Sequence, residues 1–187
     1  MIKLKDLKIY IVSVDMDVTE ALNESFSDIK NVFIYNEDIR DFYDKKSDEI
    51  DCLVSPANSY GYMTGGYDAA LSDILGWEFQ YKVQGYIKRH YFGEQPVASS
   101  FIIDTDIPGL RLIHTPTMRY PDTIEDDMII YQCMRTTLMC ALRHDVTCIV
   151  IPAFGASIGG VDPYVVADRM LDGYLQIKNK AGAKYEF

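Results

Sequence analysis

Asn58 and Asp68 lie ten residues apart, on either side of the pair Gly65-Gly66. A carboxamide and a carboxylate across such a loop have chemistry open to them. The amide of Asn58 could hold a sugar hydroxyl, and Asp68 could orient or deprotonate a water at a reacting centre. Each also has a plainer use, Asn58 as a turn residue and Asp68 as an acid in the first turn of a helix. Asp38 offers an acceptor for an exocyclic amine, or a cap for a short helix. A second glycine-bearing stretch, Phe154-Gly155-Ala156-Ser157-Ile158-Gly159-Gly160, could cradle a phosphate with main-chain N–H groups, or simply join a strand to a helix.

The elements that would position these residues follow from the pattern. Residues 51–55 are a short apolar run and read as a buried strand, ended by Pro56. A polar loop from Ala57 to Gly66 follows, and Tyr67-Asp68-Ala69-Ala70-Leu71 opens a helix. A strand end, a glycine loop and a helix N-terminus then converge, which makes an anion site of free N–H groups and a positive dipole end. Elsewhere the pattern predicts strands over 7–14, 31–35, 97–103, 112–115 and 146–151. Helices are predicted from Asp17, over a short stretch capped within 36–40, over 77–92 with Gly93 as terminator, over 122–143, and from Asp162-Pro163 through Ile177, before a short basic tail. The turn Ile107-Pro108-Gly109-Leu110 predicts an antiparallel pair. Alternating strands and helices predict a three-layer α/β/α domain with a mixed, mostly parallel sheet, and ligands bind beyond strand ends in such sheets. Both glycine loops follow strands directly, so they can form two walls of one cleft.

The 187 residues, 48% of them hydrophobic, fit a single domain over 1–187. A net charge of −10 argues against bulk binding of nucleic acid, although backbone N–H groups still allow a small anionic ligand. Cys52, Cys133, Cys140 and Cys148 form no CxxC pair and read as reduced, buried thiols. His90, His114 and His144 have no ligand spacing, so neither a metal nor a cofactor is expected. No run of about 18 apolar residues occurs, and the first residues lack the apolar block of a signal peptide. A cytoplasmic monomer with no membrane contact is the expectation.

Four segments occur in a fixed order: a strand then Asn36-Glu37-Asp38-Ile39, a strand then Ser55-Pro56-Ala57-Asn58, Gly65-Gly66-Tyr67-Asp68 opening a helix, and a strand then the second glycine loop. That set resembles the macrodomain family of ADP-ribose-binding α/β/α modules, from about residue 7 to the last helix. The resemblance implies that Asp38, with Ile39, would hold the adenine amine. Asn58, with Ala57, would hold the distal ribose. Gly65, Gly66 and Tyr67 would line the ligand, and Phe154, Gly155, Ala156, Ser157, Ile158 and Gly159 would form the diphosphate loop. Asp68 matches the acid that activates or positions water in hydrolytic members, so the implied activity is hydrolysis of an ADP-ribosyl ester, ADP-ribose 1″-phosphate or O-acetyl-ADP-ribose. Ser55 stands where the family has Asn, two glycines replace a run of four, and Gly159 stands at an aromatic position. A non-catalytic ADP-ribose reader and a scaffold that lost its ligand are the alternatives left open.

Overall fold

The computed structural model describes residues 2–180. After a 3-10 turn at Leu4–Asp6 come β1 (Lys8–Ser13), α1 (Met16–Ser25), β2 (Val32–Asn36), α2 (Ile39–Lys46), β3 (Cys52–Ser55), α3 (Gly66–Leu75) and α4 (Phe79–His90). Then follow β4 (Phe101–Asp104), β5 (Arg111–His114), α5 (Met128–Arg143), β6 (Cys148–Pro152) and α6 (Pro163–Lys180). The six strands form one sheet in the order β2-β1-β6-β3-β5-β4. All pairs are parallel except β4 with β5, where Phe101 faces His114 and Asp104 faces Arg111. The architecture is three-layered α/β/α, as expected.

The strands are continuous apolar runs because they are covered on both sides. Alternate residues feed two cores. Ile9, Ile11, Cys52, Val54, Ile113, Ile149 and Ile151 pack with residues of α1, α5 and α6. Tyr10, Val12, Leu53, Leu112, Cys148 and Val150 pack with residues of α2, α3 and α4. Strand periodicity therefore places Ser55 and His114, two residues beyond Leu53 and Leu112 and paired across β3 and β5, on the α2–α4 side. Both are polar and fully buried there, directly beneath the edge where the parallel strands end. All four cysteines are unpaired and buried. No helix among the described residues is long and apolar enough to cross a membrane.

Several elements differ from the sequence reading. The helix predicted over 77–92 starts at Phe79, because Gly76 at φ +87° ends α3 and turns the chain. The strand predicted over 97–103 starts at Phe101. Ala98 takes a left-handed φ of +58° and gives its N–H to Pro116 O, which removes it from any ladder. The helix predicted from Asp122 starts at Met128, since the preceding residues are drawn against the second glycine loop by Ile124 N–H donating to Gly159 O. Helix α1 is capped by Asp15, whose side chain accepts from Val18 N–H, and so begins ahead of Asp17. Helix α6 is capped by Asp162 as expected and runs past Ile177 to Lys180; the tail predicted beyond it, 181–187, lies outside the described residues.

Candidate functional site

A cleft of about 620 Å³ opens at the C-terminal ends of the parallel strands. Its walls follow the strand order. Ser13 to Asp15 after β1 and Glu37 to Arg40 after β2 form one end. The loop after β6 and the loop after β3 form the middle. Thr117, Met118 and Pro121, beyond β5, form the other end. From β1 to β5 is three strand spacings, roughly 14 Å. The cleft is long enough for a ligand with two distinct ends and a linking group between them.

The linking group would face main-chain N–H groups. In the first loop no acceptor among the described residues takes the N–H of Gly65, Gly66 or Tyr67, which sit at the cap and first turn of α3. The second loop leaves Ser157, Ile158 and Gly159 N–H equally without an acceptor. It is closed on itself instead by Val161 N–H to Gly155 O and Gly160 N–H to Ser157 O. All six residues line the cleft. Donors in this arrangement, with a helix dipole behind one set, can receive an anion without a cationic side chain. Arg40 is the one cationic lining residue among those described, and it is already bonded to Asp73 Oδ2 (2.7 Å) and Asp38 Oδ2 (2.9 Å).

Asp68 lies on the cleft wall at 7% exposure. Ser55 Oγ donates to its Oδ1 at 2.5 Å, and the other carboxylate oxygen has no donor among the described residues. Burial pushes the carboxyl up to about 7, against the pull of the Ser55 bond in the opposite direction. Both protonation states of Asp68 are therefore populated near neutrality. The neighbouring Tyr67 phenol is pushed up by burial first and by the charges of Asp68 and Asp38 next, and its buried oxygen has no hydrogen-bond partner among the described residues.

Two of the predicted residues have a local task as well. Asp38 caps α2, with Oδ1 accepting from Arg40 N–H at 2.8 Å and Oδ2 holding the Arg40 guanidinium. Asn58 shapes its loop. Its Oδ1 accepts from Tyr60 N–H and Tyr62 N–H, and its Nδ2 donates to Tyr62 O. One Nδ2 hydrogen is left for a ligand. Asn58→Ala is expected to cost about 1–3 kcal/mol, since the N–H groups it satisfies lose their acceptor. Urea unfolding, read as a lowered midpoint at unchanged slope, checks this.

Of the other predicted residues, Ile39, Ala57, Gly155 and Ala156 line the cleft. Phe154 does not: its side chain is fully buried in the core against α5 and α6. The sequence reading missed Ser55 as the partner of Asp68, because only the β3–α3 packing brings together residues 13 apart. It also missed Ile124, whose side chain supports Gly155 and Gly159 from behind, and the wall of Thr117, Met118 and Pro121. Ile124 fell inside the helix predicted over 122–143, which hid the first, and a loop with two prolines carried no signal for the second. No group of three or more His, Cys, Asp and Glu among the described residues is placed to hold a metal ion.

The fold and the strand-end cleft point to one class of protein. The Macro domain family model matches residues 54–170, and the chain belongs to the macrodomain family. An uncharacterized protein of Aquifex aeolicus is 28% identical over 135 residues, covering 71% of this chain and 77% of that protein. Among solved structures, the macrodomain of Mycobacterium tuberculosis DarG superposes with a TM-score of 0.59 at 20% identity, covering 69% of this chain and 84% of that one. The Oceanobacillus iheyensis macrodomain with ADP gives 0.60 at 20% identity, covering 70% of each chain. The Trypanosoma brucei macrodomain in complex with ADP-ribose gives 0.58 at 18% identity, covering 72% of this chain and 54% of that one.

Proposed function

We propose that the protein binds ADP-ribose in this cleft and hydrolyses an ADP-ribosyl derivative, with a protein mono-ADP-ribosyl ester as the first candidate and ADP-ribose 1″-phosphate or O-acetyl-ADP-ribose as others. The observation that carries the reading is the pair of loops with six N–H groups that find no acceptor among the described residues, set on either side of one cleft that also contains Asp68. The pyrophosphate lies between the two loops. The adenine end lies toward Asp38 and Ile39, where the Asp38 carboxylate has acceptor capacity beyond its two present bonds. The distal ribose lies toward Ala57 and Asn58. Backbone donors explain how a chain of net charge −10 takes a dianionic guest.

For the ester, the chemistry is a displacement by water. The water oxygen bonds to the anomeric carbon as the bond from that carbon to the ester oxygen breaks. Asp68 in its ionised form takes the proton from the water, and the carboxylate of the acceptor leaves. Orientation can supply up to about 7–11 kcal/mol of barrier lowering, and a positioned base roughly 10²–10⁴-fold. The test is release of ADP-ribose from a glutamate-modified protein. Asp68→Ala is expected to lower the rate by about 10²-fold or more with binding of ADP-ribose retained in calorimetry; equal rates would remove Asp68 from the mechanism.

One observation favours a reader that binds without turnover: the Asn58 amide is largely spent on its own loop. Calorimetric binding of ADP-ribose with no turnover of the ester, phosphate or acetyl derivative would decide for it.

A further inference from the structure

We propose that Ser55 is the positioning residue for Asp68: its hydroxyl holds one carboxylate oxygen so that the other remains free for water in the cleft. The inference rests on the hydrolase reading, and it assigns a role to a residue that stands where the family pattern has Asn. Three facts carry it. The contact is 2.5 Å long, and Asp68 receives no second donor among the described residues. Ser55 itself is fully buried, and its backbone is pinned in the sheet, where its carbonyl accepts Thr115 N–H at 2.9 Å. The hydroxyl therefore approaches from a rigid strand, and it can only reach Asp68 from beneath the cleft. A serine hydroxyl is also shorter than a carboxamide and leaves the outer oxygen uncovered.

The surroundings give Asp68 little other help. From its own helix comes the Tyr67 phenol, which is neutral. From the N-terminus of α2 comes Asp38, whose charge is matched by Arg40, and Arg40 in turn reaches Asp73 on α3. From β5, next to Ser55 across the strand pair, comes His114. Burial holds His114 down to about 3, so it stays neutral, with Nδ1 donating to Gln95 Oε1 at 2.5 Å. Burial raises the Asp68 carboxyl, and the Ser55 bond opposes that rise. Removing the hydroxyl therefore raises it further.

The experiment compares wild type, Ser55→Ala and Ser55→Thr. The carboxyl carbon of Asp68 is titrated by NMR in protein labelled at aspartate and free of ligand, and the pH–rate profile for ester cleavage is measured alongside. In Ser55→Ala the titration midpoint is expected to move up by about one pH unit or more, because a bond to a charged group is lost. The acid limb of the rate profile should follow, with a rate at pH 7 lower by about fivefold as the ionised fraction falls from roughly one half to one tenth. Ser55→Thr, which keeps the hydroxyl, should restore both. A midpoint unchanged in Ser55→Ala overturns the proposal, as does a change of rate with no change in midpoint. If wild type cleaves none of the esters, the hydrolase reading fails while the carboxyl titration still decides whether Ser55 holds Asp68.

Discussion

Asp68→Asn is expected to stabilise the protein by on the order of 4 kcal/mol at pH 8, and to leave its stability nearly unchanged at pH 3.5. The reason is the buried carboxyl. An unfolded aspartate titrates near its ordinary value of 3.8, whereas burial holds the folded group at about 7. Between those values the folded state binds a proton that the unfolded state has released, so wild-type stability falls as pH rises through this window. Below about 4 both states are protonated and nothing is lost; above about 7 the full penalty is present. A gap of about three pH units corresponds to about 4 kcal/mol. The carboxamide introduced by Asp68→Asn would keep an acceptor for Ser55 Oγ and carry no charge, so it removes the penalty without emptying the site. Urea unfolding of both proteins from pH 3.5 to 8 measures the difference directly. Parallel curves at all pH values would mean that Asp68 carries no such penalty.

Gly159→Ala is expected to weaken ADP-ribose binding by at least about tenfold and to cost about 1–3 kcal/mol of stability. A Cβ at this position would lie 2.7 Å from Gly155 O, 2.9 Å from Gly155 Cα and 2.8 Å from Ile124 Cδ1. Two of these three neighbours are backbone of the same loop, so the loop must open to admit a single methyl group. Opening it moves the Ser157, Ile158 and Gly159 N–H groups that would meet the pyrophosphate. The same packing explains why an aromatic residue has no place here. Gly65→Ala is the control for stability, since its backbone is extended and a Cβ there meets nothing within 4 Å. Calorimetry with ADP-ribose and thermal melts of both variants separate the two effects.

Much of this architecture could be read from the chain. β1, β3 and β6 are buried on both faces and so appear as unbroken apolar runs, and the turn around Pro108-Gly109 gives away the antiparallel β4–β5 pair. Asp162-Pro163 marks the start of α6 for a local reason, the acceptance of Tyr164 N–H by the Asp162 carboxylate. The errors fall where distant atoms decide. Ala98 is taken out of a strand by Pro116, and Ile124 out of a helix by Gly159, neither of which leaves a mark in the adjacent sequence. The site divides in the same way. The two glycine loops and Asp68 were legible because strand, loop and helix follow one another along the chain. The bond between Ser55 and Asp68 was not, because it depends on which face of β3 the serine occupies and where α3 packs above it. The local duties of Asn58 and Asp38 were visible only as one of two open uses.

In the proposed function, main-chain N–H groups from two loops clasp a pyrophosphate. Amide chemical shifts followed during a titration with ADP-ribose test it most directly. Saturable shifts are expected, largest at Gly65, Gly66 and Tyr67 and at Ser157, Ile158 and Gly159, with both sets reporting one affinity. Absence of saturable shifts at these six amides, or shifts confined to surfaces away from the strand ends, would contradict it.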